Sequence, residues 1–157
     1  MSLVKATMFS ELMGTFSTHN SDPIKPGKDI AKAFANYLKM GQNAGGFTTT
    51  NVIDTPAGMT IGQVFLSQLP AGAPIGSQIA SALTSMAATY QSQFQIGPPA
   101  VTPSHTPELV QLYSGYQDSG VSFSKELSNI LDTWTKTWVV SGLIPGAPPV
   151  PFSGPLS

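Results

Sequence analysis

The sequence predicts a mainly α fold, in which five or six helices form a bundle with long connections rich in proline and glycine. Apolar residues recur every three or four positions in several segments, as in helices that bury one face. Fifteen glycines and 14 prolines separate these segments. The last stretch combines apolar residues with prolines. We therefore expect a helical domain over residues 1–140 and an extended C-terminal arm over residues 141–157.

The first two helices are expected over Ser2–Phe16 and Asp29–Met40. In the second, Ile30, Phe34 and Leu38 fall on one side, and the alanines between them favour the helical conformation. Residues 18–28 contain two prolines and a glycine, which are typical of a loop.

The middle of the chain is predicted to be more irregular. The β-branched residues of Phe47–Ile53 favour an extended segment. Residues 55–59 are expected to form a turn, followed by a short helix over Ile61–Leu69. The longest helix is expected over Ser77–Phe94, with Ser77 as its N-cap.

Two further helices are predicted near the C-terminus. Thr106, Pro107 and Glu108 have the residue types of a helix start, and this helix is expected to end at Tyr113 or Tyr116. The final helix is expected over Ser122–Trp138. Its apolar stripe consists of Phe123, Leu127, Ile130, Leu131, Trp134 and Trp138.

A weak internal repeat relates three of these helices. The segments that begin at Asp29, Gln78 and Ser122 share the spacing of their large apolar residues, and each is followed by chain rich in glycine or proline. Any amphipathic helix shows this spacing. A duplicated unit of helix plus arm, with a period of about 45 residues, is the alternative.

The chain carries very little charge. Charged residues make up 10% of it, compared with about 25% in a typical globular domain. Such a surface gives little repulsion between copies, which suits a subunit of an assembly better than a free monomer. All seven basic residues are lysines and the net charge is −1, so we expect no binding to nucleic acid or to an anionic membrane.

Several kinds of site and segment are excluded or not expected. The chain has no cysteine, which excludes disulfides, thiolate metal sites and cysteine nucleophiles. No segment approaches 18 unbroken apolar residues, and the N-terminal residues lack the pattern of a secretory signal. We therefore expect synthesis in the cytoplasm and no membrane span.

No pattern of catalytic residues is found. His19 and His105 lie in proline-flanked loops near Asp22 and Glu108, and both are interpreted as solvated loop residues, since a metal site needs three or four convergent ligands. The carboxylates are scattered singly, and the glycines match neither a phosphate loop nor a nucleophile elbow. We expect no enzyme activity, no metal and no cofactor. A hydrolase that uses one of the two histidines is the rival hypothesis.

The two tryptophans and the arm are the candidate interaction site. Trp134 and Trp138 are four residues apart on one helix, where such a pair forms core, a subunit interface or the lining of a ligand groove. The prolines of the arm exclude a helix. Its apolar residues are too many for a disordered tail, and we expect them to dock in a groove of this chain or of a neighbouring copy. The predicted interface residues are Trp134, Trp138, Leu143, Ile144, Val150, Phe152 and Leu156.

Three segments resemble the small virion structural proteins of tailed bacteriophages. They are the alanine-rich helix Ile30–Leu38, its echo over Ile79–Tyr90, and Trp134–Leu156 with its run Trp-Val-Val-Ser-Gly-Leu-Ile-Pro-Gly-Ala-Pro-Pro. The resemblance implies a non-enzymatic, multi-copy component of a capsid, neck, tail or baseplate. Such a protein is made in the host cytoplasm, resides in the virion, and contacts copies of itself and other virion proteins. The alternative is a small helical adaptor or ligand-binding module that uses the Trp134/Trp138 surface.

Overall fold

Six helices and two small antiparallel sheets make up the computed structural model, which describes residues 2–102, 104–115 and 117–157. The helices are α1 Lys5–Phe16, α2 Lys25–Lys39, α3 Thr55–Leu66, α4 Ala73–Ala87, α5 Thr106–Ser114 and α6 Gly120–Thr135. The strands are β1 Thr49–Asn51, β2 Gln91–Ser92, β3 Val139–Ile144 and β4 Val150–Pro155. The predicted mainly α class is confirmed.

The helices follow one another around a common core. Each helix packs against the next one along the chain, and α6 closes the circuit by packing against α1. The loosest of these neighbouring pairs is α5 with α6. β1 pairs with β2, and β3 pairs with β4 to form a C-terminal hairpin. One continuous apolar cluster includes residues of all six helices and of the hairpin.

Prolines begin several helices instead of preceding them. Pro26, Pro56, Pro74 and Pro107 all stand in the first or second position of a helix. There the missing N–H would have no partner within the helix, and the fixed φ already suits helical geometry. The loop expected over residues 18–28 was therefore wrong for residues 25–28, and the turn expected at 55–59 was wrong, because each of these segments is the first turn of a helix. α4 likewise begins at Ala73, so Ser77 is not its N-cap.

Three helices end earlier than their apolar spacing predicts. α3 ends at Leu66, not at Leu69. α4 ends at Ala87, not at Phe94, whose φ is +62°. Tyr90 therefore lies in the connection that leads to β2, and it is nevertheless fully buried. α6 ends at Thr135, so Trp138 lies beyond it, and Ser119 caps its start by accepting a hydrogen bond from the Ser122 N–H. The end predicted at Tyr116 lies outside the described residues.

Glycines allow α2 and α3 to cross closely. A methyl group added at Gly27 would lie 2.6 Å from the Cα of Gly62 and 2.8 Å from the carbonyl oxygen of Gly58. Both obstacles are backbone atoms, which cannot move aside as a flexible side chain does. The two helices therefore meet backbone to backbone at this point.

The C-terminal arm is a β-hairpin, which corrects the expectation of an extended segment. β3 and β4 pair in register from Val139 with Pro155 to Ile144 with Val150. The expected domain boundary at residue 140 therefore lies inside a strand. On the other side of β3, backbone hydrogen bonds join it to residues 94–100, and the Ser157 N–H donates to the Gln42 carbonyl. The hairpin is thus held by the same chain on both sides.

The strand prolines occupy positions where no ladder bond is lost. Val139 and Leu143 direct their backbone N–H groups away from β4, to the carbonyls of Ala100 and Phe94. The residues that face them across the hairpin, Pro155 and Pro151, therefore have their nitrogens on the outer edge of β4. Proline is tolerated in a sheet only at such an edge. The sequence interpretation correctly excluded a helix here but did not predict this pairing.

Candidate functional site

Aromatic rings from several elements meet around Phe34 of α2. Its ring lies 6.0 Å from those of Trp134 and Trp138 and 6.2 Å from that of Tyr37, measured between centroids. Tyr90 approaches Trp138 from the other side at 6.2 Å. Offset and edge-to-face pairs at these separations add to the free energy gained from burial alone. This cluster fixes α6 and the start of the hairpin against α2.

A buried carboxylate ties α2 to α6. The Tyr37 hydroxyl donates a 2.6 Å hydrogen bond to Oδ1 of Asp132, and Lys136 contacts Oδ2 at 2.8 Å. Burial, followed by the hydrogen bond to Asp132 and its charge, raises the pKa of Tyr37. The phenol therefore stays protonated and keeps its donor role. This arrangement is structural, because both oxygens of the carboxylate are already occupied.

His105 is buried against Trp134. The two rings are stacked with 3.5 Å between their centroids and an angle of 18° between their planes. The exposed fraction of His105 is 2%, and neither ring nitrogen has a hydrogen-bond partner within the described residues. The prediction that His105 is solvated was therefore wrong, whereas His19 is exposed as expected.

The position of His105 disfavours its charged form. It is the residue before the first turn of α5, where the positive end of the helix dipole lies. Desolvation by burial lowers the pKa of its imidazole to about 4. The ring is therefore neutral at pH 7. Within the described residues it pairs with no nucleophile and no carboxylate, so it does not form the dyad that the hydrolase hypothesis requires.

A pocket of about 220 Å³ opens beside this stacked pair, between the start of α5 and the second half of α6. Ile130 and Trp134 supply apolar lining, while hydroxyl, amide and carboxylate groups stand around them. An engineered cavity of about 150 Å³ holds a benzene molecule, so this pocket has room for one large apolar group. Its lining residues are Ser104, His105, Glu108, Asn129, Ile130, Thr133, Trp134 and Thr137.

Sequence reasoning missed three polar residues of this lining. Asn129, Thr133 and Thr137 were not considered, although they follow one another at intervals of four. The same interval that places apolar residues on one face of a helix also places Asn129 and Thr133 on one side of α6, and Thr137 follows them in the turn just beyond its end. The sequence could not show that these residues line a pocket, because the pocket forms only when the fold brings the start of α5 opposite them.

The predicted interface residues fall into two groups. Trp134, Trp138 and Leu156 are 4%, 0% and 2% exposed, so they belong mainly to the core of this chain. The assignment of Trp138 and Leu156 to an interface is corrected, because the same chain covers them, whereas Trp134 still lines the pocket beside α5. The other predicted residues keep some exposure: Leu143, Ile144, Val150 and Phe152.

Metal-binding and membrane-spanning features were also sought in the structure. Within residues 2–102, 104–115 and 117–157, no three histidine, aspartate or glutamate side chains are grouped so as to hold a metal ion. No helix in this part of the chain has the length and apolarity needed to cross a membrane.

No protein-family model, curated protein or solved structure matches this chain. Its function is therefore inferred from its own residues and surfaces.

Proposed function

We propose that this protein is a non-enzymatic structural subunit that assembles with copies of itself, as the small virion proteins of tailed bacteriophages do. The observation that carries the proposal is an exposed apolar surface on the C-terminal hairpin, in a part of the chain that contains no aspartate, glutamate, lysine or arginine. In this proposal the subunit is made in the host cytoplasm and is incorporated into a capsid, neck, tail or baseplate in many copies.

The charges of the chain are confined to part of its length. Residues 55–107 and 137–157 contain no aspartate, glutamate, lysine or arginine. These spans include α3, α4 and the C-terminal hairpin. Residues 94–100 hydrogen-bond to β3, so the two uncharged spans meet at the hairpin. A contact between copies through the hairpin therefore brings together no charged side chains from these two spans.

The hairpin and the segment beside it present several apolar side chains to solvent. Leu143 and Val139 are four residues apart in β3 and are 42% and 40% exposed. Ile96, whose N–H donates to the Ser141 carbonyl, lies beside β3 and is 60% exposed. We call this surface the hairpin face and define it by Ile96, Val139, Leu143, Pro151 and Pro155, since the two prolines face Leu143 and Val139 across the hairpin.

A second copy of the chain is the partner that the charge pattern favours. In a contact between identical surfaces, a charge near the symmetry axis meets its own copy, and a charge elsewhere is desolvated unless an opposite charge faces it; both situations cost free energy. The hairpin face carries no charge. A self-contact there buries apolar area without either cost.

The contact is expected to use the face of the hairpin and not its edge. Pro151 and Pro155 occupy the outer edge of β4 and have no N–H to offer to an added strand. Proline at an edge is one way in which proteins prevent edge-to-edge pairing. Side-chain packing of hairpin against hairpin is therefore the proposed mechanism.

Sedimentation velocity tests the proposal with matched surface variants. The unmodified chain is expected to sediment as an oligomer, and the double variant Val139→Thr/Leu143→Thr as a monomer of unchanged helix content. Threonine has the β-branching that strands favour, which valine already has and leucine lacks, and only exposed positions are changed. Removing residues 141–157 is a poorer test, since it also strips the core of the buried Leu156.

The control makes the same kind of valine-to-threonine change away from the hairpin face, in segments of the chain that contain charged residues. Val4 and Val121 are 42% and 46% exposed. The double variant Val4→Thr/Val121→Thr should remain oligomeric. An unmodified chain that stays monomeric at high concentration, or an oligomer that persists after the Val139→Thr/Leu143→Thr change, would contradict the proposal. Detection of the chain in many copies per particle, by mass spectrometry of purified virions, tests the virion assignment separately.

A ligand-binding or adaptor module is the second candidate function. It is favoured by the pocket beside Trp134, whose buried indole and neighbouring His105 have polar nitrogens without partners in the described part of the chain. Buried polar groups of this kind are rare in folded proteins and call for an explanation. A monomer that binds a partner through this pocket would favour the module over the structural subunit.

A further inference from the structure

We infer that the groove between α5 and α6 binds a short peptide segment of a partner protein that carries lysine or arginine beside a large apolar residue. This groove includes the pocket beside Trp134 but lies apart from the hairpin face. The inference does not depend on self-assembly. It names both the kind of partner and the way in which the partner is recognised.

The groove is longer than the pocket alone. A second depression of about 460 Å³ adjoins it and shares Glu108 and Ile130 with it. The second depression is further lined by Gln111, Leu112, Gly115, Gln117 and Glu126. The two depressions together follow the seam between α5 and α6, which are the least closely packed of the neighbouring helices.

The length of the groove suits a short extended segment. Its lining on α6 runs from Glu126 through Ile130 to Trp134, over about two helical turns, and Thr137 continues it just beyond the end of the helix. At about 5.4 Å per turn the part on α6 is roughly 12 Å, and the turn that ends at Thr137 brings the total to about 16 Å. An extended chain advances about 3.3 Å per residue, so about five residues cover the groove.

Two carboxylates make the middle and the far end of the groove acidic. Glu108 lines it from α5 and Glu126 from α6. Within the described residues neither takes part in an ion pair, whereas Asp29 and Asp132 are each paired with a lysine. Opposite charge on a partner is therefore the complement that this groove lacks.

The opposite end of the groove favours an apolar group. The pocket there is bounded by Ile130 and Trp134, and Lys5 reaches its rim, where it donates a 2.8 Å hydrogen bond to Asn129. The positive end of the α5 dipole also lies at this end. A cation is disfavoured here, and a leucine-sized side chain fits the volume of about 220 Å³. The partner therefore places its apolar residue beside Trp134 and its basic residue about two turns of α6 away, beside Glu126.

Fluorescence titration with short labelled peptides tests the inference. The probe is a heptapeptide of serines with leucine at its centre and lysine two positions to either side, so that it reads the same in both directions. Its controls replace both lysines with glutamate, or the leucine with serine. We expect the lysine peptide to bind at least tenfold more tightly than either control, with affinity that falls as salt is added.

Protein variants locate the binding. Glu108→Gln/Glu126→Gln should weaken the lysine peptide about five- to tenfold, as expected for the loss of two partly exposed ion pairs. Asp22→Asn/Asp54→Asn removes the same charge elsewhere on the chain and should leave the affinity unchanged. In the Trp138→Phe variant, Trp134 is the remaining tryptophan, and its emission should shift when the peptide binds.

Four results would overturn the inference. They are equal binding of the lysine and glutamate peptides, equal binding of free lysine amide, an unchanged affinity in Glu108→Gln/Glu126→Gln, and binding without any change in Trp134 emission. Repeating the titration on Val139→Thr/Leu143→Thr separates this inference from the proposed assembly. That variant should bind the peptide as the unmodified chain does, whatever its oligomeric state.

Discussion

The imidazole of His105 stacks on the indole of Trp134 with 3.5 Å between the ring centroids. The contact joins the start of α5 to the last turns of α6, the two helices that pack least closely along the circuit. Because His105 is 2% exposed and unpaired within the described residues, protonation of its imidazole in the folded chain costs free energy. The neutral ring, together with the edge-to-face contact between Tyr113 and Phe123, connects this loosely packed helix pair.

Acidification should destabilise the protein through His105. Its pKa is about 4 in the folded chain, against about 6.5 when unfolded. Between these values the unfolded chain binds a proton that the folded chain does not, so stability is fully present above about pH 6.5 and is lost as the pH falls towards 4. We expect this group alone to lower the free energy of unfolding by about 2 kcal/mol between pH 7 and pH 5.

Urea denaturation at a series of pH values measures this effect. His105→Phe keeps a stacked ring without a titratable nitrogen and should lose most of the pH dependence. His19→Gln changes an exposed histidine and should retain all of it. A pH dependence that is the same in His105→Phe as in the unmodified chain would show that the imidazole is not held neutral by burial.

Replacing Tyr37 with phenylalanine should destabilise the fold. The change removes the 2.6 Å hydrogen bond to Asp132 and leaves the buried Oδ1 without its donor. A hydrogen bond to a charged group contributes about 1.5–3 kcal/mol, and we expect a loss in that range by chemical denaturation.

Tyr113 provides the matched control for this prediction. Its hydroxyl is buried and has no partner among the described residues, and burial raises its pKa. Tyr113→Phe therefore removes an unsatisfied polar group and should be neutral or stabilising. Equal losses in Tyr37→Phe and Tyr113→Phe would mean that the bond to Asp132 contributes nothing specific.

Alanine should be tolerated at one helical glycine and rejected at another. At Gly27 the added methyl meets the backbone of α3, so α2 and α3 must separate, and we expect a loss of about 1–3 kcal/mol. At Gly14 of α1 nothing lies within 4 Å of the new methyl. There the lower chain entropy of alanine should stabilise the protein by about 0.5–1 kcal/mol. Melting temperatures that move in the same direction for both variants would contradict this account of the crossing.

Local patterns in the sequence predicted the helices well where apolar spacing and a clear start coincide. α5 begins at Thr106 as expected from its threonine, proline and glutamate, and the core positions Ile30, Phe34 and Leu38 of α2 are all fully buried. The errors at the starts of α2, α3 and α4 share one cause. A proline is equally compatible with a loop and with the first turn of a helix, and only the packing of the following turns distinguishes them.

The candidate site was harder to predict, because it consists of contacts between distant parts of the chain. Trp134 was recognised as a candidate, but its neighbour His105 was interpreted as solvated, since a polar loop residue shows no local sign of burial. The apolar residues of the arm were expected to pack against protein, either in the same chain or in a neighbouring copy. In the structure the arm is held by the same chain, through residues 94–100 on one side and Gln42 on the other.

By itself the sequence determined the helical class, the low charge and the need to cover the apolar C-terminal residues, because these follow from residue type and local spacing. Only the tertiary structure decided that His105 is buried and neutral, that the arm is a hairpin, and that an acidic groove separates α5 from α6. The reason is physical: burial, strand pairing and the shape of a groove depend on which distant residues are brought together, and no local pattern specifies that partner.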